Sequence, residues 1–266
     1  MGMRLGAAVV AAVMVLSLVA CGNGLQQDAS SVGRGGAAAS ISVAAASDLR
    51  PAFEELGTAF TAATGISVTF TFGSSGQLRQ QIVNGAPFDL FASANVTFVD
   101  DVVASGRGDA STVTDYAVGR IVLWSPDGVD LPANVTDLTD PTYRRIAIAN
   151  PRHAPYGMAA EQALVSAGVY DAVADRLVLG ENISDTFEIV RSGNADVGIV
   201  ALSVAIANGG NYVVVPDALH DPLRQALVVT ATGAAGEAAG AFAGFVASPE
   251  GREVMGRFGF VLPGDG

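Results

Sequence analysis

The sequence predicts an α/β protein with mostly parallel sheets covered by helices on both faces. Three observations predict this class. From Ile41 onward, short apolar runs alternate with longer amphipathic stretches, the rhythm of strands joined by helices. Half of the 266 residues are hydrophobic and only 15% are charged, enough apolar material for a large core. Glycines such as Gly65 and Gly85 stand where helical periodicity stops, as expected of residues just past a helix end.

The elements follow in order. Ile41–Ala45 reads as a buried strand. Ser47 or Asp48 can cap the next helix, which has Pro51 in its first turn and Phe53, Leu56 and Phe60 on one face. Ile66–Phe72 alternates as a strand, and the loop Gly73-Ser74-Ser75-Gly76 leads to a helix carrying Leu78 and Ile82. Phe88–Ala92 is the next strand, with Val96, Val99 and Val103 marking the helix after it. Further strands are predicted at Arg120–Trp124, Arg145–Ala149, Leu177–Leu179, Val197–Leu202, Tyr212–Val215 and Ala226–Ala231. Helices are predicted at Gly157–Ala167, Asp185–Ser192, Ser203–Asn208, Gly236–Ala247 and Pro249–Arg257. No internal repeat is present.

Charge narrows the range of partners. The 14 basic residues are all arginine, against 26 acidic ones, giving a net charge of −12 and a pI near 4.4. Nucleic acid and anionic membrane surfaces both demand basic patches, so neither is expected as a partner. At the N-terminus, Arg4 precedes an apolar run, Leu5 to Leu18, that is too short to span a membrane. It ends in Leu18-Val19-Ala20-Cys21-Gly22, which resembles a bacterial lipobox. The expectation is a lipoprotein signal peptide over 1–20, lipidation of Cys21 and a flexible, glycine- and serine-rich tether over 21–39. Removing residues 1–20 takes away one arginine and no acid, leaving −13. Cys21 is the only cysteine, so no internal disulfide can form.

Catalytic motifs are missing. There is no GxSxG elbow, no HExxH or Cys/His cluster, and no phosphate-binding glycine motif. His153, between Pro151 and Pro155, reads as a loop residue rather than a base. Ligands of α/β sheets sit at the carboxyl ends of strands. Four segments preceding predicted helices meet that description: Ala46-Ser47-Asp48, Gly73 to Gly76, Ala154-Pro155-Tyr156-Gly157, and Asn182-Ile183-Ser184-Asp185. Helix N-termini with unpaired N–H groups suit a small anion. Each serine can equally cap its own helix, so the residues alone lead to a small anion or small polar ligand.

Four blocks then carry a resemblance: AAASDLRPAFEELGTAFTAATG, FGSSGQLRQQIVNGAPFDLFASA, NPRHAPYGMAAEQAL and GENISDTFEIVRSGNADVGIVAL. In order and spacing they resemble the signature blocks of the molybdate-binding proteins of bacterial ABC importers, over about Ile41 to Phe260. That resemblance implies a two-lobed, hinge-linked type II periplasmic-binding-protein fold, with lobe I formed by 40–119 plus 222–266 and lobe II by 120–221. It implies a monomeric, non-enzymatic, extracytoplasmic binding protein, lipid-anchored at Cys21, that needs no cofactor and hands molybdate or tungstate to permease and ATPase subunits. It assigns oxyanion binding to Ser47 and Ser75 by hydroxyl and backbone N–H, and to Tyr156 and Ile183 by backbone N–H. The alternatives are another tetrahedral oxyanion, such as sulfate or phosphate, or an oxyanion-sensing receptor domain.

Two positions depart from a simple donor shell. Ala201 stands where many members carry a ligand tyrosine, which makes the Tyr156 phenol the expected substitute. Asp48 would repel an oxyanion and is expected to turn to the backbone as a helix cap. A shell of neutral donors would favour a fully deprotonated tetrahedral dianion, because a protonated ligand finds no acceptor unless Asp48 provides one, as in phosphate recognition.

Overall fold

The computed structural model describes residues 39–231 and 233–264. The expected signal peptide, the lipidation of Cys21 and all but the last residue of the expected tether lie outside the described residues.

Strands and helices alternate as expected. β1 (Ser40–Ala46) leads through a 3-10 turn at Ser47–Leu49 into α1 (Arg50–Thr64), β2 (Ser67–Gly73) into α2 (Ser75–Val83), and β3 (Leu90–Ser93) into α3 (Val96–Ala104). β4 (Thr114–Gly119) and β5 (Ile121–Ser125) are separated by Arg120 alone. Then come β6 (Ile146–Ala149), α4 (Pro155–Ser166), a single turn α5 (Tyr170–Val173), β7 (Leu177–Gly180) and α6 (Ile183–Arg191). β8 (Val197–Ala201), α7 (Leu202–Asn208), β9 (Asn211–Val214), β10 (Leu223–Val229), α8 (Gly233–Ala247) and α9 (Pro249–Arg257) complete the described chain.

These strands build two five-stranded sheets, ordered β2-β1-β3-β10-β4 and β7-β6-β8-β5-β9, one for each lobe. In each sheet the first three strands pair in parallel and the remaining pairings are antiparallel. The sheets are thus mixed where the sequence suggested mostly parallel ones. The cause is topological: β5 and β10 are the first strands after the chain passes from one sheet to the other, and each enters against the parallel set. β4 was not anticipated: the sequence reading begins a strand at Arg120, whereas Thr114–Gly119 just before it forms a separate strand of the other sheet.

The first sheet is buried on both faces. On β1, Ile41, Val43 and Ala45 face the core that holds Phe53, Phe60 and Phe242, whereas Ala44 faces Leu78, Phe91 and Val99. A strand covered on both sides needs apolar residues in both phases, which Val43, Ala44 and Ala45 supply. Edge strand β2 keeps the two-residue alternation, with Val68, Phe70 and Phe72 less exposed than Ser67, Thr69 and Thr71. Phe53 and Phe60 meet Phe242 edge-on at ring separations of 5.9 and 5.3 Å, the geometry that aromatic quadrupoles favour. In the second lobe Trp124 packs on Phe187 at 4.4 Å.

Helix ends largely obey local chemistry. Gly65 closes α1 in the left-handed conformation, and Pro51 lies in its first turn. Neither Ser47 nor Asp48 caps α1, however; its N-cap is Leu49, with no side-chain cap bond. The intervening 3-10 turn moves the helix start downstream and frees both side chains for other partners. No helix among the described residues is long and apolar enough to cross a membrane.

Candidate functional site

The four segments singled out in the sequence meet at one place. Ala46, Ser47 and Asp48 from the end of β1, Gly73 to Ser75 from the end of β2, Ala154 to Tyr156 at the start of α4, and Asn182 and Ile183 at the start of α6 line a single cavity. Ala94, just beyond β3, completes the wall. All five contributions lie at the carboxyl ends of parallel strands or the helix starts that follow, where an α/β sheet presents unpaired main-chain donors. The free volume left between these walls is only about 10 Å³, on the order of what one water molecule needs by the same measure. The walls are drawn together here, so a polyatomic ligand requires them to move apart, and a peptide has no room.

The donors are neutral. Three helix N-termini converge here, with Ser75 opening α2, Tyr156 in the first turn of α4 and Ile183 opening α6. The first N–H groups of a helix have no acceptor within it and carry the positive end of its dipole. Two hydroxyls join them. Ser75 Oγ accepts from the backbone N–H of Ala94 at 3.0 Å, and Ser47 Oγ accepts from that of Ser184 at 3.4 Å. Each oxygen is held by a backbone donor, and its own proton remains to donate. No cationic side chain lines the cavity, and among the described residues no cluster of His, Cys, Asp or Glu could hold a metal ion.

Contacts between the lobes close around this point. The backbone N–H of Gly76 donates to the His153 carbonyl at 3.0 Å, and Ser74 Oγ donates to the same oxygen at 2.6 Å. Ser184 Oγ reaches the Ser47 carbonyl at 3.2 Å, and Ser203 Oγ reaches the Asp48 carbonyl at 2.8 Å. Gln77 Nε2 donates to Glu181 at 2.9 Å at the rim. A Cβ on Gly76 would stand 2.6 Å from the His153 oxygen, so only glycine allows this approach.

Asp48 is where the structure departs most from expectation. It does not cap α1; its carboxylate is 1% exposed and accepts at Oδ2 from Tyr156 OH at 2.9 Å and Gln225 Nε2 at 2.8 Å, with its own backbone a lesser partner. Burial outweighs these hydrogen bonds and raises its pKa from 3.8 to about 6. The Tyr156 phenol is therefore committed to Asp48 and is not the free ligand donor expected from the sequence. Burial, with the Asp48 charge second, holds both Tyr156 and Tyr116 well above the usual tyrosine range. The Tyr116 hydroxyl donates to Gln225 Oε1 at 3.0 Å. Neither Tyr116 nor Gln225 was picked out in the sequence, and no local pattern marks them. Ala201 is fully buried at the end of β8 and does not line the cavity. His153 sits in the loop before α4, its Nδ1 2.9 Å from Ser74 Oγ.

Comparisons with known proteins bear on this geometry. The family model described as bacterial extracellular solute-binding protein matches residues 41–261. The chain is 37% identical over 263 residues to the molybdate-binding protein ModA of Rhodobacter capsulatus, covering 97% of this chain and 96% of that relative. It is 36% identical to ModA of Azotobacter vinelandii, covering 85% and 91% of the two chains. The solved structure of the periplasmic molybdate-binding protein of Azotobacter vinelandii superposes with a TM-score of 0.78 at 32% identity, over 84% of this chain and 99% of that one.

Proposed function

The chain belongs to the molybdate-binding branch of the bacterial extracellular solute-binding proteins, and on that premise we propose that its interlobe cavity captures molybdate. The binding residues of this reading are Ser47 and Ser75, through hydroxyl and backbone N–H, with the N–H groups of Tyr156 and Ile183 from the other lobe. One observation supports it above the rest: three helix N-termini and two serine protons converge on a cavity with no cation in its wall. Hydrogen bonds to a charged group contribute about 1.5–3 kcal/mol each. Some six of them, less the entropy lost on binding, correspond to roughly micromolar to nanomolar affinity.

Neutral donors also answer the problem of overall charge. The exterior of the chain is acidic, yet charges beyond about 8 Å are screened at physiological salt. Inside the cavity the dianion meets dipoles at hydrogen-bond distance, and these dominate. Tungstate, with the same charge and nearly the same size, binds alongside molybdate in this reading. Closure about a hinge between residues 40–119 plus 222–266 and residues 120–221 then presents the loaded form to membrane permease and ATPase subunits. The chain is a binding protein, not an enzyme. Its export and its lipid anchoring at Cys21 belong to the same proposal.

Titration calorimetry with molybdate, tungstate, sulfate and phosphate tests the ligand. Molybdate and tungstate are expected to bind, with sulfate and phosphate at least about tenfold weaker; preference for sulfate or phosphate would overturn the assignment. Ser75→Ala should weaken molybdate binding by at least about tenfold, the loss of one charge-assisted hydrogen bond, while the thermal transition stays cooperative.

A further inference from the structure

One wall residue of the cavity is not a donor. Asp48 is the single carboxylate in the lining, and its two oxygens are unequal. Oδ2 accepts from both Tyr156 and Gln225. Oδ1 is buried and has no hydrogen-bond partner among the described residues. Gln225 supplies no partner to Oδ1: its Nε2 donates to Oδ2 at 2.8 Å, and its Oε1 accepts from Tyr116 OH at 3.0 Å, a hydroxyl that also lies 3.2 Å from the Ser93 carbonyl. A buried acceptor without a partner is costly, and a carboxylate facing a dianion is costlier still.

We propose that Asp48 takes up one proton from solvent as the oxyanion enters, and that its protonated Oδ1 then serves as a further donor to a ligand oxygen. This uptake presupposes the oxyanion capture proposed above. The stoichiometry is simple: protein, dianion and one proton combine, and no other bond forms or breaks. The two donors held on Oδ2 direct the proton to Oδ1, the atom that lacks a partner. Protonation removes the repulsion and turns the unpartnered acceptor into a hydrogen-bond donor in one step.

The surroundings favour the neutral form. Tyr156 from α4 and Tyr116 from β4 face the carboxylate and stay uncharged across the neutral range. β2 and α7 present no charged residue. Arg50 of α1, with Asp185 and Glu188 of α6, lines the neighbouring cleft with Ser47 rather than this cavity. Burial already brings Asp48 to about 6 without ligand, and a bound dianion moves it further up.

The test is titration of the protein with sodium molybdate near pH 8, in two buffers of different ionisation enthalpy, which yields the protons exchanged per ligand. The wild type should take up close to one proton, and its affinity should fall about tenfold for each pH unit above 6. Asp48→Asn should take up none, show a flat pH profile, and bind more tightly than the wild type at pH 8. Wild-type binding without proton uptake, or uptake retained in Asp48→Asn, would overturn the inference while leaving oxyanion capture intact. Failure of the wild type to bind molybdate at any pH removes capture itself, and the proton uptake with it. The wild-type measurement decides even if the variant does not fold.

Discussion

Gly76 and His153 join the two lobes through main chain alone, the N–H of one donating to the carbonyl of the other at 3.0 Å. Side chains can rearrange, but backbone contact requires the loops themselves to be in register. This pair therefore reports closure more directly than the polar contacts around it.

Gly76→Ala should separate folding from closure. The added Cβ would lie 2.6 Å from the His153 oxygen, so the lobes can no longer meet at this point. Alanine is otherwise better than glycine inside a helix by about 0.5–1 kcal/mol, which favours α2 whenever the lobes stand apart. The expected result is unchanged or slightly raised thermal stability without ligand, with molybdate affinity lower by at least about tenfold. Unchanged affinity in calorimetry would show that this contact does not gate binding.

The buried carboxylate makes stability depend on pH in the less common direction. Asp48 moves from 3.8 in the unfolded chain to about 6 in the folded one, so the folded state binds more protons between those values. Stability from this group is therefore present at low pH and lost as pH rises through the window from 3.8 to 6, by about 3 kcal/mol. Urea denaturation at a series of pH values should show wild type gaining on Asp48→Asn as pH falls from 7 to 4. A constant difference between the two proteins would contradict the assignment.

The aromatic core offers a control far from the cavity. Phe242 is fully buried and packs edge-on against both Phe53 and Phe60. Phe242→Ala should cost about 3–5 kcal/mol of stability, seen as a lower denaturation midpoint, with molybdate affinity below the transition within about twofold of wild type.

Salt should matter little to affinity. With no cation in the wall, no ion pair is available to be screened. Affinity measured at about 0.05 and 0.5 M sodium chloride should differ by less than about threefold. A steep loss at high salt would point to arginine at the ligand.

Much of this site was legible because each segment announces itself locally. Ser47, Ser75, Tyr156 and Ile183 all follow an apolar run and precede a helical one, and the fold gathers them because parallel strands point their carboxyl ends the same way. What was not legible depends on distance. Asp48 looks like a cap because a helix begins nearby; its real partner Gln225 lies 177 residues away and Tyr156 lies 108 away. Neither the composition nor the periodicity around Asp48 contains that information. β4 was missed for the opposite reason: it lies directly before the strand predicted from Arg120, and a change of sheet between them leaves no turn or spacer in the sequence. A Cβ on Gly119 would fall 2.2 Å from Tyr156 OH, so the glycine at this boundary also leaves room for the Asp48 network.

The position of β10 between β3 and β4 sets an order of assembly. The second sheet is made from one continuous stretch, from Ile121 to Val214, and can complete itself as soon as that stretch is available. The first cannot, because β4 has no neighbour in its sheet except the late-arriving β10. During synthesis the middle of the chain is thus able to complete its sheet before the beginning of the chain completes the other.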